Sequence, residues 1–225
     1  MNGTDTVKAP PAPQFATREQ QAQAGSFGMW VFIASELLFF GPLLFGYLYV
    51  RTHFPDAVAQ ASRHTEYVLG TVNTAILLTS SYAMALAGAA MRASRRRRAA
   101  WLLLATALLG LAFMAIKGWE WHTEFTEHLF PGVGFRPDDA KDAWTLHGME
   151  LFFLLYFALT GLHALHLTVG VAATLTIANG VRRQPESAGG PGEEAVELVG
   201  LYWHFVDLVW VFLYPLLYLV GRAGG

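Results

Sequence analysis

The sequence predicts an all-α polytopic membrane helix bundle with five transmembrane helices, its N-terminus inside and its C-terminus outside. Of the 225 residues, 54% are hydrophobic, and the mean hydropathy is +0.36. Five apolar stretches approach or exceed the roughly 20 residues that a helix needs to cross a bilayer. Arginines concentrate in the loops after the second and fourth stretches, which the positive-inside rule assigns to the inner side.

The five stretches form one predicted bundle over residues 27–222. Before it, residues 1–26 form a polar, proline-containing tail on the inside that is expected to be flexible and to lack a signal peptide. After it, residues 223–225 form a short outside tail. The predicted spans are residues 27–50, 66–91, 99–117, 148–178 and 197–220.

The spans differ in length and in their flanking segments. Span 1 reads FGMWVFIASELLFFGPLLFGYLYV and must itself direct insertion. Span 3 has the shortest apolar core, and the sequence does not fix where its helix ends beyond Lys117. Span 4 is the longest, so we expect it to tilt or to project beyond the lipid. A flexible inside linker, residues 184–194, precedes span 5.

The orientation depends on the distribution of basic residues. Arg92 and Arg95 to Arg98 follow span 2, and Arg182 and Arg183 follow span 4. With the two basic residues of the tail, nine lie inside in this arrangement against six outside, Lys117 among the six. An inside N-terminus and an outside C-terminus follow.

The chain contains no cysteine, which excludes disulfides, iron–sulfur clusters, cysteine-ligated copper and c-type haem attachment within it. A phosphate-binding glycine loop and a nucleophile elbow are also missing from the sequence. The arginine run is explained by topology and anionic headgroups, so nothing indicates a nucleic-acid partner.

Glu36 is the most informative polar residue. It lies nine residues into span 1, roughly 14 Å deep at 1.5 Å per residue, where a charged group costs roughly 2.5–3.5 kcal/mol on insertion. Either it relays protons or it is a neutral hydrogen-bonding group. A histidine on another helix could pair with it, and a pair with His204 would connect span 1 to span 5.

The membrane histidines also allow two interpretations. His163 and His166 are three residues apart and share one face of span 4, and His204 lies in span 5. Such histidines could ligate a b-type haem or a metal, but span 5 has few glycines near His204 to admit a flat macrocycle. Hydrogen bonding between helices is therefore favoured. Asp207 follows His204 at i+3, so the two could pair.

Two further polar or aromatic groups have simpler interpretations. Trp203 and Trp210 share a face of span 5, and such a stripe is typical of packing against lipid or a partner. The segment between spans 3 and 4 includes Glu120 and Glu124, and most of it is interpreted as a solvated loop. Its acidic surface could attract a basic partner, and it contains no H-E-x-x-H motif.

Four motifs in order resemble subunit III of the haem–copper oxidases. They are GMWVFIASELLFF in span 1, KGWEW at 117–121, TGLHALHLTVG at 160–170 and YWHFVDLVWVFLYPLLYL at 202–219. The resemblance implies the shorter, five-helix type of this all-helical subunit. It also implies that the subunit flanks the catalytic subunit, holds phospholipid, and helps to sustain proton uptake while oxygen is reduced to water.

The resemblance assigns roles to individual residues and partners. Glu36, His163, His166, His204 and Asp207 match family positions that serve packing, the lipid cleft or the proton environment. No catalytic, cofactor-binding or metal-binding residue is expected in this chain, and the haem and copper would belong to partner subunits. The implied partners are the catalytic subunit I, subunit II, phospholipids and, indirectly, cytochrome c, in a bacterial inner membrane.

Four alternatives remain open at this point. The closest in kind are a subunit III-like accessory protein of a nitric oxide reductase, since Tyr156 to His163 also fits that branch, and a quinol oxidase subunit. The other two are a proton-coupled transporter that uses Glu36 and a haem b quinol module.

Overall fold

A computed structural model describes residues 13–132, 134–137, 140, 142–183 and 192–222. Within these ranges every regular element is helical. The helices are α1 Arg18–His53, α2 Pro55–His64, α3 Tyr67–Arg92, α4 Arg96–Thr126, α5 Ala143–Arg183 and α6 Glu193–Tyr214. A π-helical turn, Pro215–Leu219, and a 3₁₀ turn, Val220–Arg222, extend α6, and Pro215 explains this change because proline cannot donate the next helical hydrogen bond.

The structure confirms five helices that are long and apolar enough to cross a membrane. Two of them, α1 and α4, exceed the predicted bounds by nine residues at one end. Helix α1 starts at Arg18, where the Thr17 hydroxyl accepts a 3.1 Å hydrogen bond from the Gln20 N–H, so residues 18–26 are helical rather than part of a flexible tail. Helix α4 continues to Thr126, nine residues beyond the predicted end. Residues 1–12, 184–191 and 223–225 lie outside the described residues.

Helix α2 was not predicted, because its ten residues are too few and too polar to resemble a span. Proline at its first position favours a helix start there, and its apolar face, which includes Val58 and Ala61, is fully buried. The C-terminal turn packs against it, and the Gly221 N–H donates to the Ser62 hydroxyl at 2.8 Å. A Cβ at Gly221 would overlap the Ala59 carbonyl oxygen, so this close contact requires glycine.

Helices α3 to α6 form the core of the bundle, and α1 lies at its edge. In the most apolar window of α1, 11% of residues are buried, against 39–44% in the other four spans. Trp203 and Trp210 are fully buried between helices, so their predicted packing against lipid or a partner is wrong. Gly110 makes room for the first of them, because a Cβ there would come within 2.8 Å of the Trp203 ring.

Candidate functional site

Glu36 pairs with His166 and so connects α1 to α5. The Glu36 Oε2 to His166 Nε2 distance is 2.8 Å, and the two side chains are only 16% and 12% exposed. Phe40 packs on the imidazole at 5.5 Å between ring centroids, and the Tyr202 hydroxyl donates to the His166 carbonyl at 2.9 Å. The partner of Glu36 is thus on the fourth span, and the suggested connection to His204 on the fifth is wrong.

Hydrogen-bond chemistry sets how many protons this pair holds. His166 Nδ1 lies 2.8 Å from the Leu162 carbonyl oxygen, which only accepts, so Nδ1 carries a proton. The Nε2–Glu36 contact then needs one further proton, on either the ring or the carboxyl. In both forms the pair has no net charge, which makes it tolerable within a bilayer.

His204 and Asp207 do not pair with each other, contrary to the i, i+3 suggestion. His204 Nδ1 lies 2.7 Å from the Ser81 hydroxyl on α3. Asp207 is 4% exposed. Neither of its carboxylate oxygens, however, has a hydrogen bond of ordinary geometry within the described residues. His204 therefore joins α6 to α3 through the Ser81 hydroxyl.

His163 points away from its predicted companion His166. It is 1% exposed and packs against the rings of Phe113, at 5.5 Å, and Trp210, at 5.0 Å. Within the described part of the chain, neither ring nitrogen has a hydrogen-bond partner. Helix α5 thus presents His166 to α1 and His163 to the aromatic core.

A second polar cluster, which sequence reasoning missed, is buried where α4, α5 and the C-terminal turn meet. It consists of five side chains of at most 2% exposure, Lys117, Glu120, Glu124, Tyr156 and Tyr218, and is called the lysine cluster below. The Lys117 ammonium donates to Glu120 at 3.1 Å, to Tyr156 at 2.6 Å and to Tyr218 at 2.5 Å. All three of its donors are thereby used.

The hydroxyls of Tyr156 and Tyr218 also contact the carboxylates of Glu120 and Glu124. Tyr218 donates to Glu120 at 2.7 Å. Tyr156 lies 2.9 Å from Glu120 and 2.6 Å from Glu124, although one hydroxyl has a single proton to donate. A proton on the Glu124 carboxyl would supply the missing donor and would remove the charge that Lys117 leaves uncompensated.

The lysine cluster corrects two predictions about the segment after span 3. Lys117 was counted among the outside basic residues, and Glu120 and Glu124 were assigned to a solvated loop, but all three belong to α4 and are buried. The sequence feature that indicates this cluster is the spacing of the three residues, since positions 117, 120 and 124 lie on one helical face. It was overlooked because the apolar run ends before them.

The described residues contain no group of three or more histidine, aspartate or glutamate side chains placed to hold a metal ion. Chemically, the Glu36–His166 pair and the lysine cluster can hold protons and join helices. The Glu36–His166 pair holds α1 on α5, and the lysine cluster joins α4, α5 and the C-terminal turn.

Removing one partner of the lysine cluster should be costly. Lys117→Met leaves Glu120 buried without its cation, so we expect the free energy of unfolding to fall by about 3–5 kcal/mol. The double variant Lys117→Met/Glu120→Gln should lose less, because no unpaired charge remains. Thermal unfolding of the purified chain in detergent measures both, with Glu127→Gln, an exposed carboxylate on the same helix end, as the control. A Lys117→Met chain as stable as this control would contradict the expectation.

Comparison with known proteins adds independent evidence. Residues 143–222, which include α5 and α6, match the family model described as cytochrome c oxidase subunit III. The chain is 28% identical over 221 residues to a cytochrome c oxidase subunit 3 from Alkalihalophilus pseudofirmus, covering 98% of both chains. It is 27% identical over 209 residues to a probable quinol oxidase subunit 3 from Staphylococcus aureus, covering 92% of this chain and 94% of the relative.

The two relatives align over the helices that carry Glu36, His163, His166 and the last-helix motif, in line with the resemblance seen in the sequence. The chain is therefore similar to subunit III proteins of cytochrome c and quinol oxidases.

Proposed function

We propose that this chain is the non-catalytic subunit III of a proton-pumping aerobic terminal oxidase that receives its electrons from cytochrome c. Similarity to oxidase subunit III proteins supports assembly with other oxidase subunits. In our proposal these are the catalytic subunit I and subunit II, which hold the haem and copper in a bacterial plasma membrane. This chain would hold no redox centre and would support lipid binding and proton uptake.

The observation that carries the proposal is the internal pairing of the intramembrane polar groups. Both ring nitrogens of His166 are engaged, by the Leu162 carbonyl and by Glu36, and His204 faces Ser81 on α3. His163 lies among aromatic rings instead of facing another histidine. Such an arrangement favours a structural role over haem ligation or a transport pathway, because the groups join helices instead of converging on one point.

The electron donor distinguishes the main proposal from its alternative. The relative that aligns over 98% of both chains is named as a cytochrome c oxidase subunit, which supports cytochrome c as donor. A second relative is named as a quinol oxidase subunit, so a quinol donor is the other candidate.

Purification through a tag on this chain, in mild detergent, tests the proposed donor. We expect a multi-span catalytic subunit and subunit II to co-purify, with haem a bands in the reduced-minus-oxidised spectrum and oxygen consumption on reduced cytochrome c. Oxygen consumption on quinol but not on cytochrome c would favour the alternative. Nitric oxide turnover with haem b and c bands would contradict both, and a colourless chain without partners would contradict assembly into an oxidase.

For Glu36 we propose a structural role in the pair with His166. Glu36→Gln can still donate a hydrogen bond to Nε2, so we expect normal retention of the chain in the complex and normal turnover. Glu36→Leu leaves Nε2 without a partner, at a cost of about 1–3 kcal/mol, and should lower the amount of chain retained per catalytic subunit. Ser35→Ala, which alters the exposed neighbour, is the matched control. Reduced turnover of Glu36→Gln with full retention would favour a proton relay instead.

We also propose that the N-terminus lies inside and the C-terminus outside. An ion pair of 3.1 Å between Arg92 and Glu197 brings the end of α3 beside the start of α6. The arginines after α3 and those at the end of α5 therefore lie at one end of the bundle, as the positive-inside rule requires. Burial of Lys117 removes one basic residue from the opposite end.

Single cysteines test this orientation against a cysteine-free background. In intact cells, a membrane-impermeant maleimide should label Glu127→Cys, and it should label Ser94→Cys only after permeabilisation. The unmodified chain reports any background. The reverse pattern of labelling would overturn the proposed orientation.

A further inference from the structure

The π-helical turn Pro215–Leu219 makes buried polar contacts with two separate parts of the bundle. The Tyr47 hydroxyl of α1 donates to the Leu216 carbonyl, and the Lys117 ammonium of α4 donates to the Tyr218 hydroxyl at 2.5 Å. Both tyrosines are at most 1% exposed. Since one residue separates Leu216 from Tyr218, a single short segment joins the edge helix α1 to the lysine cluster.

The backbone of this segment explains why the Leu216 carbonyl is available to α1. In a π-helix each carbonyl accepts from the N–H five residues later, which would pair Leu216 with Gly221. The π-helical pattern ends at Leu219, and the Gly221 N–H donates to the Ser62 hydroxyl of α2 at 2.8 Å. The Leu216 carbonyl accepts from Tyr47 in its place.

The π form also determines where Tyr218 points. Pro215 has no N–H, which favours a departure from the regular helix at this point. A π turn shifts the following residues by about one position relative to an α-helix, and one position corresponds to a rotation of about 100° around the helix axis. A regular α-helix over the same residues would therefore turn Tyr218 away from Lys117.

The contact with α1 and the contact with α4 favour the same form of the turn. In a regular α-helix the Leu216 carbonyl would accept from the Val220 N–H and would compete with Tyr47 for that acceptor. Each tyrosine contact thus stabilises the form that the other requires. Two side chains on different helices, Tyr47 and Lys117, are thereby connected through an element with two alternative arrangements, which is the physical requirement for coupling between sites.

We propose that the π-helical turn couples the position of α1 to the lysine cluster. While Tyr47 is bonded to Leu216, Tyr218 stays on Lys117; when α1 moves away, the turn relaxes and the cluster loses Tyr218. Helix α1 is suited to start such a change, because it is the least buried of the five spans that the structure describes. A contact that shifts α1 would thereby reach a proton-holding cluster on α4 and α5. The coupling depends on residues of this chain alone, whatever its electron donor or partners.

Hydrogen exchange of the full chain in detergent, resolved by mass spectrometry, tests the coupling. Tyr47→Phe keeps the ring and removes the hydroxyl, so the Leu216 carbonyl loses its donor. We expect the amides that follow Pro215 to exchange roughly tenfold faster, and the amides of α4 around Glu120 to exchange faster as well. Tyr49→Phe, the same change at an exposed position of α1, is the matched control and should leave both segments unchanged.

The coupling must also act in the reverse direction, because coupling between two sites is reciprocal. Tyr218→Phe removes the contact with Lys117 without touching α1. We expect it to speed exchange of the α1 amides around Tyr47. Glu127→Gln, a change at an exposed carboxylate beyond the end of α4, should have no such effect.

Several outcomes would overturn the proposal. Faster exchange confined to α1 in Tyr47→Phe would mean that the turn transmits nothing, as would unchanged exchange of α1 in Tyr218→Phe. Equally faster exchange in every helix would indicate general destabilisation. If Tyr47→Phe does not fold, Pro215→Ala, which restores the missing N–H, replaces it and should speed exchange around both Tyr47 and Glu120. Unchanged exchange at either place would contradict the role of the turn.

Discussion

A polar group in the hydrocarbon core must find its partner within the protein, and the lysine cluster meets this constraint for three segments at once. Lys117 and Glu120 from α4, Tyr156 from α5 and Tyr218 from the C-terminal turn share contacts of 3.1 Å or less. The position of the C-terminal turn in turn fixes α2, whose Ser62 and Arg63 bond to Gly221. The close packing at this end of the bundle thus depends on one buried ammonium group.

Helix α1, by contrast, has far less of its surface packed against the rest of the bundle. Among the described residues, its membrane-buried ionisable contact is the neutral pair of Glu36 and His166, reinforced by Tyr47, whose hydroxyl donates to the Leu216 carbonyl. A large part of its apolar surface, including Leu38 and Phe45, remains exposed in the isolated chain. In a bilayer such a surface suits lipid or a neighbouring subunit, which is consistent with a subunit that works within a complex.

Apolar run length was enough to predict five spans, because a helix in lipid needs about 20 apolar residues whatever it packs against. Glu36 and the histidines stood out for the same reason, as costly groups in an apolar run. Their pairing could not be read from the sequence, because His166 rather than His204 faces α1 only once helix rotation is fixed by packing. The lysine cluster was missed since Lys117, Glu120 and Glu124 come after an apolar run, where polar residues usually signal a loop. Only their shared helical face indicated otherwise.

The separation of 130 residues between Glu36 and His166 has a consequence for biosynthesis. A ribosome adds about 5–20 residues per second, so Glu36 is synthesised about 6.5–26 s before the histidine that neutralises its carboxyl. During that interval the nascent chain must carry Glu36 protonated or shield it with another protein. The cell's insertion machinery therefore has to insert the first span while its carboxyl is unpaired. Glu36 gains its partner within the protein only when α5 has been inserted.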